Sequence, residues 1–156
     1  MELPEQSVIE SFEQLEQPLN RDVALTDYLE ITQDYVDRFA EVSFDRQWIH
    51  VDVERARAES PFKPPISHGL FNLSMAAHFL MSGVKVRGVQ YRLVTELNYV
   101  RFLSVVPVGS RIRGRIRLMH CQRLRDSTQA VWMITVERKD GMIPACVAEF
   151  VVRYYG

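Results

Sequence analysis

The chain has 156 residues, 47% of them hydrophobic and 25% charged, with 7 glycines and 7 prolines, the composition of one globular domain that buries roughly two-thirds of its unfolded surface. The longest apolar run, residues 70–81, is interrupted by Asn72, Ser74 and His78 and is too short to cross a bilayer; the acidic N-terminus lacks the basic and apolar regions of a secretory signal, so a cytoplasmic protein without a membrane partner is expected. Two cysteines, Cys121 and Cys146, without CxxC spacing exclude a zinc or disulfide scaffold, and a formal net charge of −1 gives no overall basic field, so no nucleic-acid partner is expected.

The near-neutral total hides an asymmetry. Residues 1–60 carry 15 acidic and 5 basic side chains, and residues 61–156 carry 5 acidic and 14 basic. Arg111, Arg113, Arg115, Arg117, Arg123 and Arg125 follow one another with no acid before Asp126. Such a stretch is either a landing strip for phosphates or a carrier protein, or the solvated face of an antiparallel strand, where alternate side chains point outward.

Residues 1–20 are rich in Glu and Gln, with Val8, Ile9, Phe12 and Leu15 spaced for one helical face. Residues 1–22 are therefore expected as an N-terminal helical extension and residues 23–156 as the main domain. Residues 23–31 alternate apolar and polar as a short strand does, and Thr32 is placed to cap a helix running to about Val42. Residues 43–51 have no helical period and read as a loop. A short charged helix follows over 52–59, with Asp52 as its N-cap, until Pro61, Pro64 and Pro65 force an extended path. Residues 68–82 are apolar on almost every side, which predicts a helix enclosed by other structure and capped by Gly83.

From residue 89 onward four long β-like runs appear, 89–103, 110–124, 129–139 and 142–155. They are separated by Pro107 with Gly109, by Asp126-Ser127, and by Asp140-Gly141, a hairpin signature. This order predicts an α+β fold, an antiparallel sheet wrapped around a long central apolar helix. Such a sheet keeps open edges, so a homodimer or a dimer-based oligomer is expected.

Two places hold chemistry. Asp45 and His50 lie five residues apart beside Phe44, Trp48 and Ile49, and apolar neighbours can desolvate a carboxylate and an imidazole and tune both for acid–base work near neutral pH. Taken alone, the same residues equally describe a capping Asp and a hydrogen-bonded His. Ser67-His68-Gly69 opens the apolar helix. A glycine there lets a ligand approach the backbone, whose free N–H groups can donate to a developing oxyanion, although a tight entry turn would have the same letters. His78 reads as a core or interface histidine, His120-Cys121 has no metal spacing, and no metal is expected.

Taken together, these blocks resemble the MaoC-like dehydratases, a hot-dog-fold family that includes R-specific enoyl-CoA hydratases and nodulation protein N-like proteins. The family's hydratase motif runs Gly-Asp-x-Asn-Pro, an apolar residue, His, and a later Ala; here Asp45, Ile49, His50 and Ala56 fall in register. Its His-Gly-apolar helix opening is matched by His68, Gly69 and Leu70. The stretches 97–102 and 106–113 resemble the strand and turn of the nodulation-type branch. Phe44 stands where the family has glycine, and Gln47-Trp48 stand where it has Asn-Pro.

The resemblance implies the hot-dog fold and an acyl-thioester hydro-lyase, performing (R)-specific hydration of a trans-2-enoyl-CoA to a 3-hydroxyacyl-CoA or the reverse dehydration. It assigns Asp45 and His50 as the acid–base pair, leaving open which is acid and which is base, and the Gly69 N–H as the oxyanion donor. Gln47, Trp48, Ser67, His68, Ser74 and Arg101 would bind substrate, an acyl-CoA or an acyl carrier protein thioester, and no cofactor is implied. Two alternatives stay open: a hot-dog acyl-CoA thioesterase, with its acid or base on the central helix, and a non-catalytic acyl-thioester-binding dimeric module in which Phe44 blocks chemistry.

Overall fold

The computed structural model describes residues 5–15 and 21–156. Its elements in chain order are β1 (Ser7–Ile9), α1 (Phe12–Leu15), β2 (Arg21–Leu25), β3 (Leu29–Glu30), α2 (Gln33–Ser43), α3 (Trp48–Val51) and α4 (Val53–Glu59). There follow α5 (Gly69–Gly83), β4 (Val84–Val86), β5 (Tyr91–Phe102), β6 (Arg111–Arg123), β7 (Thr128–Arg138) and β8 (Cys146–Tyr155). The main sheet is antiparallel, ordered β2-β6-β7-β8-β5, with β3 also paired to β6.

Alternation along the strands decides what meets α5. Ile112, Gly114, Ile116 and Leu118 of β6 point inward, and Trp132, Ile134 and Val136 of β7 and Ala148, Phe150 and Val152 of β8 continue the layer. Against it α5 sets Phe71, Ala76, Phe79 and Leu80; burying side chains such as Phe79 and Leu80 contributes on the order of 1.5–3 kcal/mol each. Gly114 marks a close approach, since a Cβ there would lie 2.4 Å from the Phe79 Cβ. An antiparallel sheet curled around one long helix is the hot-dog fold.

The same alternation settles the arginine stretch. Arg113 and Arg115 bind Glu137 at 2.9 and 2.6 Å, and Arg115 and Arg117 bind Asp22 at 3.1 and 2.8 Å. Arg111 and Arg113 lie over the Tyr28 ring, and Arg123 reaches Glu13. Arg113, Arg115, Arg117 and Arg123 lie on the outer face of the sheet, tied to Glu137 of β7 and to Asp22 and Glu13 of the N-terminal half, and do not form a bare strip for phosphates. Burial alone would raise the Asp22 carboxyl, but hydrogen bonds from Arg117 and Arg115 hold it below its usual value.

The N-terminal segment departs from the expected helix. Ser7–Ile9 form β1, which pairs in parallel with β4, because the β-branched Val8 and Ile9 favour an extended chain and β4 offers an open edge. Among the described residues of this segment, helix is confined to the single turn of α1; residues 1–4 and 16–20 lie outside them. Ile9 and Leu15 join the same core as the rest of the chain. Residues 23–31 form two strands, not one, because Thr26 interrupts the ladder. Its N–H donates to the Gly114 carbonyl at 2.9 Å, and its hydroxyl accepts the Gly114 N–H at 2.9 Å.

Other local expectations hold with small shifts. Thr32 caps α2 by accepting the Tyr35 N–H, and Asp52 caps α4 by accepting the Arg55 N–H at 3.0 Å. Helix α5 runs through Gly83, and Val84 takes the cap position in its place. The expected 43–51 loop is irregular over 44–47 only. The enclosure of α5 needs the larger correction: Leu70 is 61% exposed, and Ser74 and His78 are exposed beside it. One sheet covers one side of a helix, and among the described residues nothing covers Leu70, Ser74 and His78 on the other. No helix of the described residues is long and apolar enough to cross a membrane.

Candidate active site

The site is assembled where α3, the strand-like segment after the prolines and the start of α5 converge. The Ile66 N–H donates to the Ile49 carbonyl at 3.1 Å and the Ser67 N–H to the Val106 carbonyl at 2.8 Å, so residues 66–67 are held on both sides before the chain turns into α5. Helix α3 is one turn, long enough to turn His50 inward: His50 is 6% exposed, its N–H donates to the Gln47 carbonyl, and its carbonyl accepts Gln33 Nε2 at 2.8 Å.

The imidazole of His50 meets the Ile66 carbonyl through Nδ1 at 2.7 Å. A carbonyl only accepts, so Nδ1 carries the proton and Nε2 presents a lone pair for chemistry. Burial lowers the His50 pKa below its ordinary value; the Ile66 carbonyl opposes that shift, neighbouring His68 adds to it, and Asp45 opposes it.

His68 is also buried, and its Nε2 donates to the Asp45 main-chain carbonyl at 2.9 Å. Its ring stacks on His50 with centroids 3.8 Å apart and planes 25° apart, and it lies 5.0 Å from the Phe39 ring. Asp45 itself is exposed on the 44–47 loop, so the apolar surroundings expected for both members of the pair are found only at His50. A carboxylate oxygen of Asp45 and one ring nitrogen each of His50 and His68 lie within 4.8 Å of one another. One water accepting and donating hydrogen bonds of about 2.8 Å spans that gap. The same trio is also the group that could hold a metal ion.

Gly69 begins α5, and its first-turn N–H has no carbonyl partner within the helix. A Cβ at Gly69 would meet the Phe102 ring at 3.4 Å, so the end of β5 borders this amide. Phe44 takes a left-handed backbone, φ 61 and ψ 9, the conformation for which glycine is suited. Its side chain is 83% exposed and does not plug the site.

The remaining sequence candidates divide. Ser67 is buried and donates its hydroxyl to Asn72 Oδ1 at 2.8 Å, so it braces the helix entry. Trp48 is half-buried under the Arg55 guanidinium, 4.4 Å from the ring, and Gln47 is exposed ahead of α3. Ser74 is exposed on α5 and donates to the Leu70 carbonyl at 2.9 Å. Arg101 is exposed on β5, over the Tyr99 ring, one residue from Phe102. His78 is exposed and belongs to the open side of α5, not to the core.

Sequence reading missed Gln33, which grips the His50 carbonyl, and Asn72, 3% exposed and bonded to Ser67. Asn72 had a signal, an amide inside an apolar run. Gln33 had none, because its target lies 17 residues on and is a main-chain atom.

Residues 14–139 match the family described as MaoC like domain. The chain is 43% identical over 133 residues to 3-hydroxyacyl-thioester dehydratase Z of Mycobacterium tuberculosis (strain ATCC 25618 / H37Rv), covering 85% of this chain and 87% of that protein. It is 36% identical over 136 residues to nodulation protein N of Rhizobium leguminosarum bv. viciae, covering 85% and 84% respectively. It superposes on unliganded R-hydratase PhaJ1 from Pseudomonas aeruginosa with a TM-score of 0.74 at 19% identity, over 93% of this chain and 85% of that one, which shows the shared fold. The match across most of the sequence, with Asp45, His50 and Gly69 in one place, means that the chain belongs to the MaoC-like domain family.

Proposed function

We propose that the protein is an acyl-thioester hydro-lyase that hydrates a trans-2-enoyl-CoA to the (R)-3-hydroxyacyl-CoA or runs the reverse dehydration. The observation that carries this reading is the one-water gap between the Asp45 carboxylate and the His50 ring, next to the first-turn amide of Gly69. The 43% identical relative is itself named a 3-hydroxyacyl-thioester dehydratase.

With Nδ1 committed to Ile66, His50 Nε2 accepts a proton from the bridging water as its oxygen bonds to C3. The π electrons shift to the thioester oxygen, which the Gly69 N–H stabilises at the positive end of α5. The enolate then collapses, taking a proton at C2 from the acid–base pair. Water supplies every added atom, so no electron carrier takes part. Acyl-CoA and acyl carrier protein thioesters share this reacting group, and both are assigned as substrates.

The thioesterase alternative loses ground because α5 carries no carboxylate and its one histidine, His78, lies outside the group formed by Asp45, His50 and His68. The non-catalytic alternative loses ground because Phe44 points to solvent. A homodimer belongs to the same reading: β5 is a sheet edge with Tyr91, Leu93, Val94, Leu97, Tyr99 and Phe102 exposed, and a second copy would cover it together with the open side of α5. The cytoplasm is the assigned compartment, in keeping with a chain of 156 residues that carries only two cysteines.

The test follows enone absorbance and free thiol separately while pure protein acts on crotonyl-CoA and longer enoyl-CoAs. Enone loss without thiol release is expected, and Asp45→Asn or His50→Ala should each lower kcat by at least about 100-fold with little change in melting temperature. Thiol release, or full activity in both variants, refutes the assignment.

A further inference from the structure

His68 occupies the N-cap position of α5, yet its side chain makes no capping bond. Its ring turns to the 44–47 loop, and the loop needs it. The loop opens on Phe44 in the left-handed region, and its own hydrogen bonds are long: the Asp45 N–H donates to Ser43 Oγ at 3.3 Å and the Gln47 N–H to Asp45 Oδ1 at 3.4 Å. The bond from His68 Nε2 to the Asp45 carbonyl is shorter, 2.9 Å, and crosses 23 residues of sequence.

The opposite ring nitrogen, Nδ1, is buried without a hydrogen-bond partner. Packing against Phe39 and His50 would be served as well by a phenyl ring, which has no such orphaned nitrogen. The polar ring is therefore explained by the one bond it makes, and that bond ends on the residue that carries the carboxylate. Because the main chain of His68 itself leads into Gly69, His68 ties the carboxylate loop, the His50 ring and the oxyanion amide together.

We infer that His68 is a positioning residue, whose Nε2–H holds the Asp45 loop and whose ring face holds His50, setting the gap in which the reacting water sits. It acts through its neighbours and makes no contact with the thioester. The inference rests on the hydro-lyase reading for its kinetic consequence, though the coupling between His68, Asp45 and His50 exists without it.

The experiment compares His68→Phe, which keeps the ring and deletes the donor, with His68→Gln, which keeps an N–H donor without the stack. For each, kcat and KM on crotonyl-CoA, the melting temperature, and the His50 titration by NMR of the imidazole nitrogens are measured. His68→Phe is expected to lower kcat by about 10–100-fold, as small misplacements of reacting groups do, with KM changed by less than about 3-fold. The His50 midpoint should move up, because the titratable neighbours acting on it are His68, which lowers it, and Asp45, which raises it. His68→Gln should recover part of kcat.

Wild-type kcat in His68→Phe overturns the inference. So does a loss matched by a collapsed melting temperature with the His50 midpoint unmoved, the mark of a purely structural role. Wild-type protein that leaves every enoyl-CoA unchanged refutes the hydro-lyase reading alone; the positioning claim then stands or falls on whether His68→Phe shifts the backbone amide resonances of the 44–47 loop, which His68 holds through the Asp45 carbonyl.

Discussion

Replacing Phe44 isolates a backbone effect at the edge of the site. Phe44→Ala and Phe44→Gly both delete a ring that is 83% exposed, so both lose the same small burial, under about 1 kcal/mol at ordinary area coefficients. They differ in the backbone. At φ 61 and ψ 9 an L-residue carries about 1–2 kcal/mol of left-handed strain, which glycine relieves, while glycine loses about 0.5–1 kcal/mol more chain entropy on folding. The glycine variant should therefore be the more stable by about 0.5–1 kcal/mol. At about 2–4 °C per kcal/mol for a domain of this size, its melting temperature should exceed that of the alanine variant by about 1–4 °C. Calorimetry on both variants measures the difference, and crotonyl-CoA turnover should stay within about 3-fold of wild type in each, since the ring does not enter the site. An alanine variant as stable as the glycine variant would refute the strain argument. A large loss of turnover in both would show that the phenyl ring meets substrate or a partner chain.

Two further outcomes follow from His50 and from β5. Because burial lowers the His50 pKa, the base stays unprotonated below the ordinary histidine value of 6.5, and the acid limb of kcat/KM should have its midpoint below pH 6.5; a midpoint above it contradicts the buried-base geometry. The stability linkage has the same sign: the unfolded chain binds the His50 proton more readily, so the contribution is complete above pH 6.5 and is lost as pH falls towards the lowered folded value. Leu97, 44% exposed on the edge strand β5, should be an interface anchor. Leu97→Glu should weaken self-association by at least about 100-fold in sedimentation velocity, and a variant that stays dimeric would move the interface away from β5.

What could be read from the letters alone depended on how local the physics is. The long strands and the caps at Thr32 and Asp52 rest on alternation and short-range hydrogen bonds and appear as expected, whereas β8 begins at Cys146, four residues into the expected 142–155 run, and the Asp140-Gly141 turn is part of a longer 139–145 connection. The N-terminal helix failed because the pairing of Val8 and Ile9 is decided by β4, more than seventy residues away. The open side of α5 could not be read either: an all-round apolar pattern reports what the helix touches in its final assembly, including surfaces that one chain does not supply. At the site, Asp45, His50 and Gly69 were legible as a motif. The fixing bonds were not, because Ile66 and Asp45 offer main-chain carbonyls, which every residue has, to His50 and His68.

The motif's departures are intelligible on the same terms. Glycine in the family's first position and proline in its fifth act through backbone conformation, and this chain meets both requirements by other means. Phe44 adopts the left-handed angle at an energetic cost and keeps its ring in solvent. Trp48 stands at the first position of α3, where proline is favoured because its fixed φ suits a helix start and its missing N–H has no partner to lose. Trp48 lacks that fixed angle, but the Arg55 guanidinium packs on its ring from α4 at 4.4 Å, so a contact between side chains restrains a turn that a covalent ring would otherwise restrain. What the turn delivers is unchanged: His50 points inward with Nδ1 on the Ile66 carbonyl. On the proposed hydro-lyase reading the chemistry therefore depends on where the backbone places the Asp45 carboxylate and the His50 ring, and substitutions that preserve that placement leave the arrangement intact.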